Sequence, residues 1–121
     1  MRTDCFIHFN TQLLIWHWET RSYAAHVALG DSYKKFSKLV DSYIEIYQGK
    51  NQRLDIPDFS SCPAYVSVKG KEVPEVFEWM REYLLIELTK DLDKTKDVDL
   101  LNLRDEMLAE LNHLLYLLTL E

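Results

Sequence analysis

The sequence predicts an all-α fold, a four-helix bundle in a single domain, and three observations carry that expectation. Apolar residues recur at spacings of three and four through four separate stretches. Only three Gly and three Pro occur among 121 residues, so few turns interrupt the chain. One long connection lies between two short ones, the spacing expected of two helical hairpins.

The first helix is expected from about Asp4 to Trp18, where Phe6, Phe9, Leu13 and Trp16 share a face and Asp4 is a candidate cap. The second runs from about Ser22 to Gln48, with a stripe through Tyr23, His26, Gly30, Tyr33, Phe36, Val40, Tyr43 and Tyr47. Ser22 suits the N-cap and Gly49 the C-terminal stop. Gly30 inside this helix costs about 1 kcal/mol relative to Ala, and close approach of another helix explains its use. From Gly49 to Lys71, Pro57, Pro63 and Gly70 punctuate a connection, within which AYVSV reads as a short extended piece.

Pro74 fits the first position of the third helix, whose apolar face is Val73, Phe77, Met80, Leu84 and Leu88. After the charged break Asp91 to Lys96, a fourth helix is expected from Asp97, its N-cap, to close to Glu121. Its leucines, from Leu100 to Leu118, cover a face wide enough for more than one neighbour, another subunit included. The short connections make antiparallel hairpins of helices one and two and of helices three and four. Joined by one long crossover between helices two and three, they match the ferritin-like arrangement; an up-down bundle with a decorated loop is the alternative.

Composition narrows the function classes. Net charge is −6 with no basic block, which argues against a nucleic-acid surface. No apolar run reaches the roughly 20 residues of a membrane span, and the first residues lack a signal-peptide pattern, so a cytoplasmic protein is expected. Cys5 and Cys62 form no CxxC pair and read as reduced thiols.

The chemistry concentrates in His17, His26, Asp41 and Glu45. Asp41 and Glu45 are spaced four apart and share a helix face. Imidazole nitrogen and carboxylate oxygen together suit iron, zinc or manganese. His26 and Asp41 are roughly 22 Å apart along one helix, with azimuths differing by about 60°. One chain therefore does not gather all four. Two copies of the second helix packed antiparallel about a two-fold axis would, with reciprocal sites in a homodimer.

These residues resemble the Dps branch of the ferritin-like superfamily. HW is followed by a later His, then by Asp41 fifteen positions on and Glu45 four beyond. That resemblance implies an iron-oxidising centre between two subunits, with His17 and His26 from one chain and Asp41 and Glu45 from the other. The stretch HWETRSYAAH…VDSYIEIYQG also looks similar to a set of small phage-encoded proteins without assigned function. The chain departs from the Dps pattern in a shorter turn between the histidines, a truncated first helix and the lack of a Lys-rich tail. Metal chemistry with iron or zinc is one expectation; a non-catalytic helical interaction protein on the same scaffold, without metal, is the other.

Remaining signals have structural readings. Glu110 and His113 form a Glu-x-x-His pair of the di-iron type, but the second helix offers no matching pair, and the third only Glu75, Glu78, Glu82 and Glu87. Cys5 and His8 read as structural, and Trp16, Trp18 and Trp79 as packing anchors. No nucleophilic triad and no glycine-rich phosphate loop is legible.

Overall fold

The computed structural model describes residues 1–120. Among these the chain is all-helical, without a β-strand. The helices are α1 (Asp4–Glu19), α2 (Tyr23–Lys50), α3 (Val73–Glu82) and α4 (Val98–Leu117).

The helix ends follow local chemistry, with three departures from expectation. Thr3, not Asp4, stands at the start of α1. The Asp4 carboxylate is taken instead by Arg2 at 2.7 Å and by the Cys62 thiol, which donates at 3.3 Å. Ser22 caps α2 as its sequence suggests, accepting from the Ala25 N–H at 3.2 Å. Gly49 does not stop that helix. The backbone continues through it to Lys50, and Asn51 closes the end by donating from both backbone and side chain to the Tyr47 carbonyl. Asp97 occupies the N-cap position of α4 without capping it. Its carboxylate accepts from the Asp93 N–H and pairs with Lys50.

Contacts between side chains fix the directions. Phe36 meets Phe9 and Tyr43 meets Phe6, so α2 runs opposite to α1. The connection 51–72 then lies along α1 from its start to its end. Ser61 meets Arg2, Val66 meets Gln12 and Trp16, and Ser67 and Val68 meet Glu19. No strand forms in AYVSV; the Gln12 carboxamide does a strand's work, accepting from the Val66 N–H at 2.9 Å and donating to its carbonyl at 3.1 Å. This gives the Val66 N–H its partner, while the carbonyl also accepts from Trp16.

α3 packs Phe77 on Trp16 and Phe9. It then widens into a π-helical turn, Tyr83–Glu87, and a 3₁₀ turn, Leu88–Asp91. At that end Tyr83 reaches Phe6 and its hydroxyl donates to the Arg2 carbonyl at 2.5 Å, so α3 too runs opposite to α1. α4 begins beside Lys50, whose ammonium joins Asp97 and Asp99, and returns along α2 to Ser32, which donates to Glu110 at 2.6 Å.

The core centres on Phe6, Phe9, Trp16, Phe36, Tyr43, Phe77 and Met80. Burial of each large apolar side chain contributes about 1.5–3 kcal/mol. Trp16 is fully buried and donates to Val66, and Trp79 is partly buried, both as packing anchors. Trp18 is not one: it is 69% exposed. No described helix is long and apolar enough to cross a membrane.

Candidate metal centre

The three residues between α1 and α2 bring the last turn of one helix against the first turn of the next. His17 and His26 meet there, their rings stacked with centroids 3.9 Å apart and planes 16° from parallel. Each ring is held by the other residue's backbone. His17 Nδ1 lies 2.7 Å from the His26 carbonyl oxygen, and His26 Nδ1 lies 2.8 Å from the His17 carbonyl oxygen. A carbonyl only accepts, so both Nδ1 atoms carry hydrogen. In the neutral form of either ring the lone pair then lies on Nε2. A ligating histidine is commonly oriented in this way, its far N–H spent on a carbonyl or carboxylate.

Gly30, one turn beyond His26, completes the seat. A Cβ at this position would lie 2.8 Å from His17 Cε1 and 3.0 Å from His17 Nδ1. The close approach expected of Gly30 is therefore made by a side chain of α1. The pair opens into a cleft of about 380 Å³, bordered by Trp18, Tyr23, Val27 and Asp31. Tyr23 is 80% exposed, so with Trp18 it forms an uncovered aromatic rim.

Asp41 and Glu45 are exposed on α2, on the side away from the core-facing Phe36, Val40 and Tyr43. At 100° per residue they continue an outward stripe through Tyr23, Val27 and Lys34. The structure thus joins the two histidines and leaves the carboxylates farther along the same helix. Among the described residues of one chain, no group of three or more His, Cys, Asp or Glu side chains is gathered to hold a metal ion. Asp31, in the cleft, was missed by the spacing argument; its place one residue after the unusual helix glycine was the available signal.

The other titratable groups offer less chemistry. Glu110 accepts from buried Ser32 and His113 is exposed, so this pair does not converge inward. Burial, then the Asp4 charge, pushes the Cys5 thiol up to about 12. Burial and the hydrogen bond to Asp4 push Cys62 up to about 11. Thiols held this far above neutrality are poor nucleophiles. Burial raises the Asp4 carboxyl, but hydrogen bonds from Arg2 and Cys62 and the Arg2 charge outweigh it and hold the group below the ordinary value.

The family model described as "Family of unknown function (DUF5856)" matches residues 17–118, a span that contains all four candidate residues. No curated protein and no solved structure matches the chain.

Proposed function

For a chain that belongs to the DUF5856 family of unknown function, we propose divalent-metal binding at a Dps-like site shared across a homodimer. The observation that carries this reading is the reciprocal clasp of His17 and His26, which holds each Nδ1–H on a carbonyl and leaves both Nε2 atoms uncommitted. Two imidazoles with two carboxylates form a donor set that suits iron or zinc. Because one chain does not assemble the set, a second copy supplies Asp41 and Glu45 to the histidines of the first. The outward stripe of α2 would be the contact, with Tyr23 and Val27 covered at one end and the carboxylates at the other.

The course of the connection 51–72 along α1 supports a ferritin-like bundle, since a long crossover of that kind lets α2 and α3 run in the same direction. A bound ion would supply Lewis acidity at the clasp. With Fe(II) as substrate, the activity implied by the resemblance is its oxidation to Fe(III), with the electrons passing to peroxide or dioxygen. A second reading, a helical interaction protein without metal chemistry, is favoured by the aromatic rim of Trp18 and Tyr23.

Titration of metal-free protein with Zn(II), and with Fe(II) under anaerobic conditions, tests the proposal. Binding should be lost in His26→Ala and in Asp41→Ala, and partly restored when the two variants are mixed, because a mixed dimer keeps one intact site. Full affinity in an Asp41→Ala, Glu45→Ala double variant would place the site within one chain and remove the shared interface. No binding by the native chain would leave the second reading.

A further inference from the structure

A groove of about 680 Å³ runs between α2 and α4, on a different side of α2 from the Asp41–Glu45 stripe. Its charges are segregated by wall. Lys35 and Lys38 line the α2 side, and Glu106 and Glu110 line the α4 side. Leu39 and Leu103, both partly buried against the core, line the groove between them. Among the described residues, none of the ion pairs uses these two lysines or two glutamates.

The hydrogen bond from Ser32 to Glu110 sets the level of the antiparallel pair. Counted from it at 1.5 Å per residue, Lys35 and Lys38 lie roughly 5 and 9 Å along α2, and Glu106 about 6 Å along α4 in the same direction. The cationic and anionic walls therefore stand side by side, separated by the width of the groove.

We propose that this groove is a homotypic interface, in which a second copy seats about a two-fold axis running along the groove. That operation lays the partner's α2 wall over α4. Lys35 and Lys38 of each chain then meet Glu106 and Glu110 of the other, around a Leu39–Leu103 seam. An axis across the groove would instead lay lysine over lysine and glutamate over glutamate, so the charge pattern selects the first axis. Because the pattern is complementary to itself, the contact is isologous and needs no other partner. With the α2 stripe as a second two-fold contact, the same chain builds a closed tetramer if the two axes cross at right angles, a larger closed ring if they cross at another closing angle, and an open chain otherwise.

A charge exchange tests this. One variant carries Lys35→Glu and Lys38→Glu. The other carries Glu106→Lys and Glu110→Gln, the glutamine keeping an acceptor for Ser32. Sedimentation velocity in chelator should show that each variant alone loses an association step present in the native chain, a fall of about twofold in mass. A one-to-one mixture should regain it, because the acidic groove of one variant then faces the basic groove of the other. Association of the native chain should also weaken with added salt. Circular dichroism checks that both variants stay helical. If either does not, Lys35→Gln with Lys38→Gln takes its place and must weaken association. Equal masses for the native chain and the separate variants, or a mixture that stays at the variants' mass, overturn the proposal. Asp41→Ala tests the other face and should leave this association step unchanged.

Discussion

Gly30 holds open the space that the His17 ring fills: a Cβ added there would come within 2.8 Å of the imidazole Cε1. The ring has little room to give way, with His26 stacked on it at 3.9 Å and the His26 carbonyl holding its Nδ1. Gly30→Ala therefore sets two effects against each other. Helix propensity favours alanine by about 1 kcal/mol, and displacement of His17 opposes it. We expect near-native stability together with at least about a tenfold loss of Zn(II) affinity, about 1.4 kcal/mol. Calorimetric titration measures the affinity and a urea transition the stability. Native affinity in the alanine variant would show that the clasp has no part in metal binding.

Gln12 ties the connection 51–72 to α1 through both backbone groups of Val66. It is fully buried, so Gln12→Ala strands the Val66 N–H, while its carbonyl keeps the bond from Trp16. An unpaired buried group costs about 1–3 kcal/mol, and that loss is expected in urea unfolding. Hydrogen exchange at the Val66 amide should accelerate more than exchange in α4. Uniform acceleration across all helices would mean that the connection does not open separately.

His8 gives the fold a pH dependence with a defined sign. It is 4% exposed, stacked on Tyr65 at 4.3 Å and edge-on to Trp79 at 5.3 Å. Burial holds its imidazole below the ordinary value of 6.5, although the Asp4 charge pulls the other way. The unfolded chain thus binds a proton more readily than the folded chain. Stability should fall as pH drops below about 6.5 and level off once pH passes the lower folded value. Asp4, itself lowered from 3.8, acts in a more acidic window. Urea midpoints at about pH 7.5 and about pH 5 should differ in the native chain, and differ less in His8→Phe, which keeps an aromatic ring at the stack. An equal difference in both would assign the dependence to other groups.

The helices were legible because each carries its own periodicity, and Ser22 and Pro74 mark starts by purely local chemistry. The departures fall where another partner, near or distant, engages the group expected to cap or stop a helix. Asp4 and Asp97 have the right residue type for a cap, yet neighbouring Arg2 and the Asp93 N–H, together with the distant Cys62 thiol and Lys50 ammonium, take their carboxylates. Gly49 is a poor stop because Asn51, two residues on, satisfies the terminal carbonyl better. At the candidate site, spacing placed both histidines near the hairpin turn. Their reciprocal bonds depend on how two helix ends meet, which no pattern along one helix records. The connection 51–72 was readable as a loop by its prolines and glycine, but its anchoring required knowing that a buried glutamine faces it.

Tyr43 offers a test in which removing an atom is expected to do no harm. The side chain is fully buried against Phe6, and its hydroxyl has no hydrogen-bond partner among the described residues. Burial pushes the phenol upward from its ordinary value, so the group stays neutral and the cost is that of an unpaired hydroxyl. Such a cost is about 1–3 kcal/mol, while deleting one oxygen leaves only a small void that reclaims part of it. Tyr43→Phe should accordingly match the native chain or exceed it by about 1 kcal/mol in urea unfolding, with an unchanged denaturant slope. Asn10 is a mixed case, because its amide N–H donates to Ser37 across the α1–α2 contact while its buried Oδ1 has no partner among the described residues, so Asn10→Ala loses one bond and removes one unpaired acceptor. A loss of more than about 1 kcal/mol in Tyr43→Phe would mean that the hydroxyl makes a favourable bond in solution, to water or to a neighbouring chain.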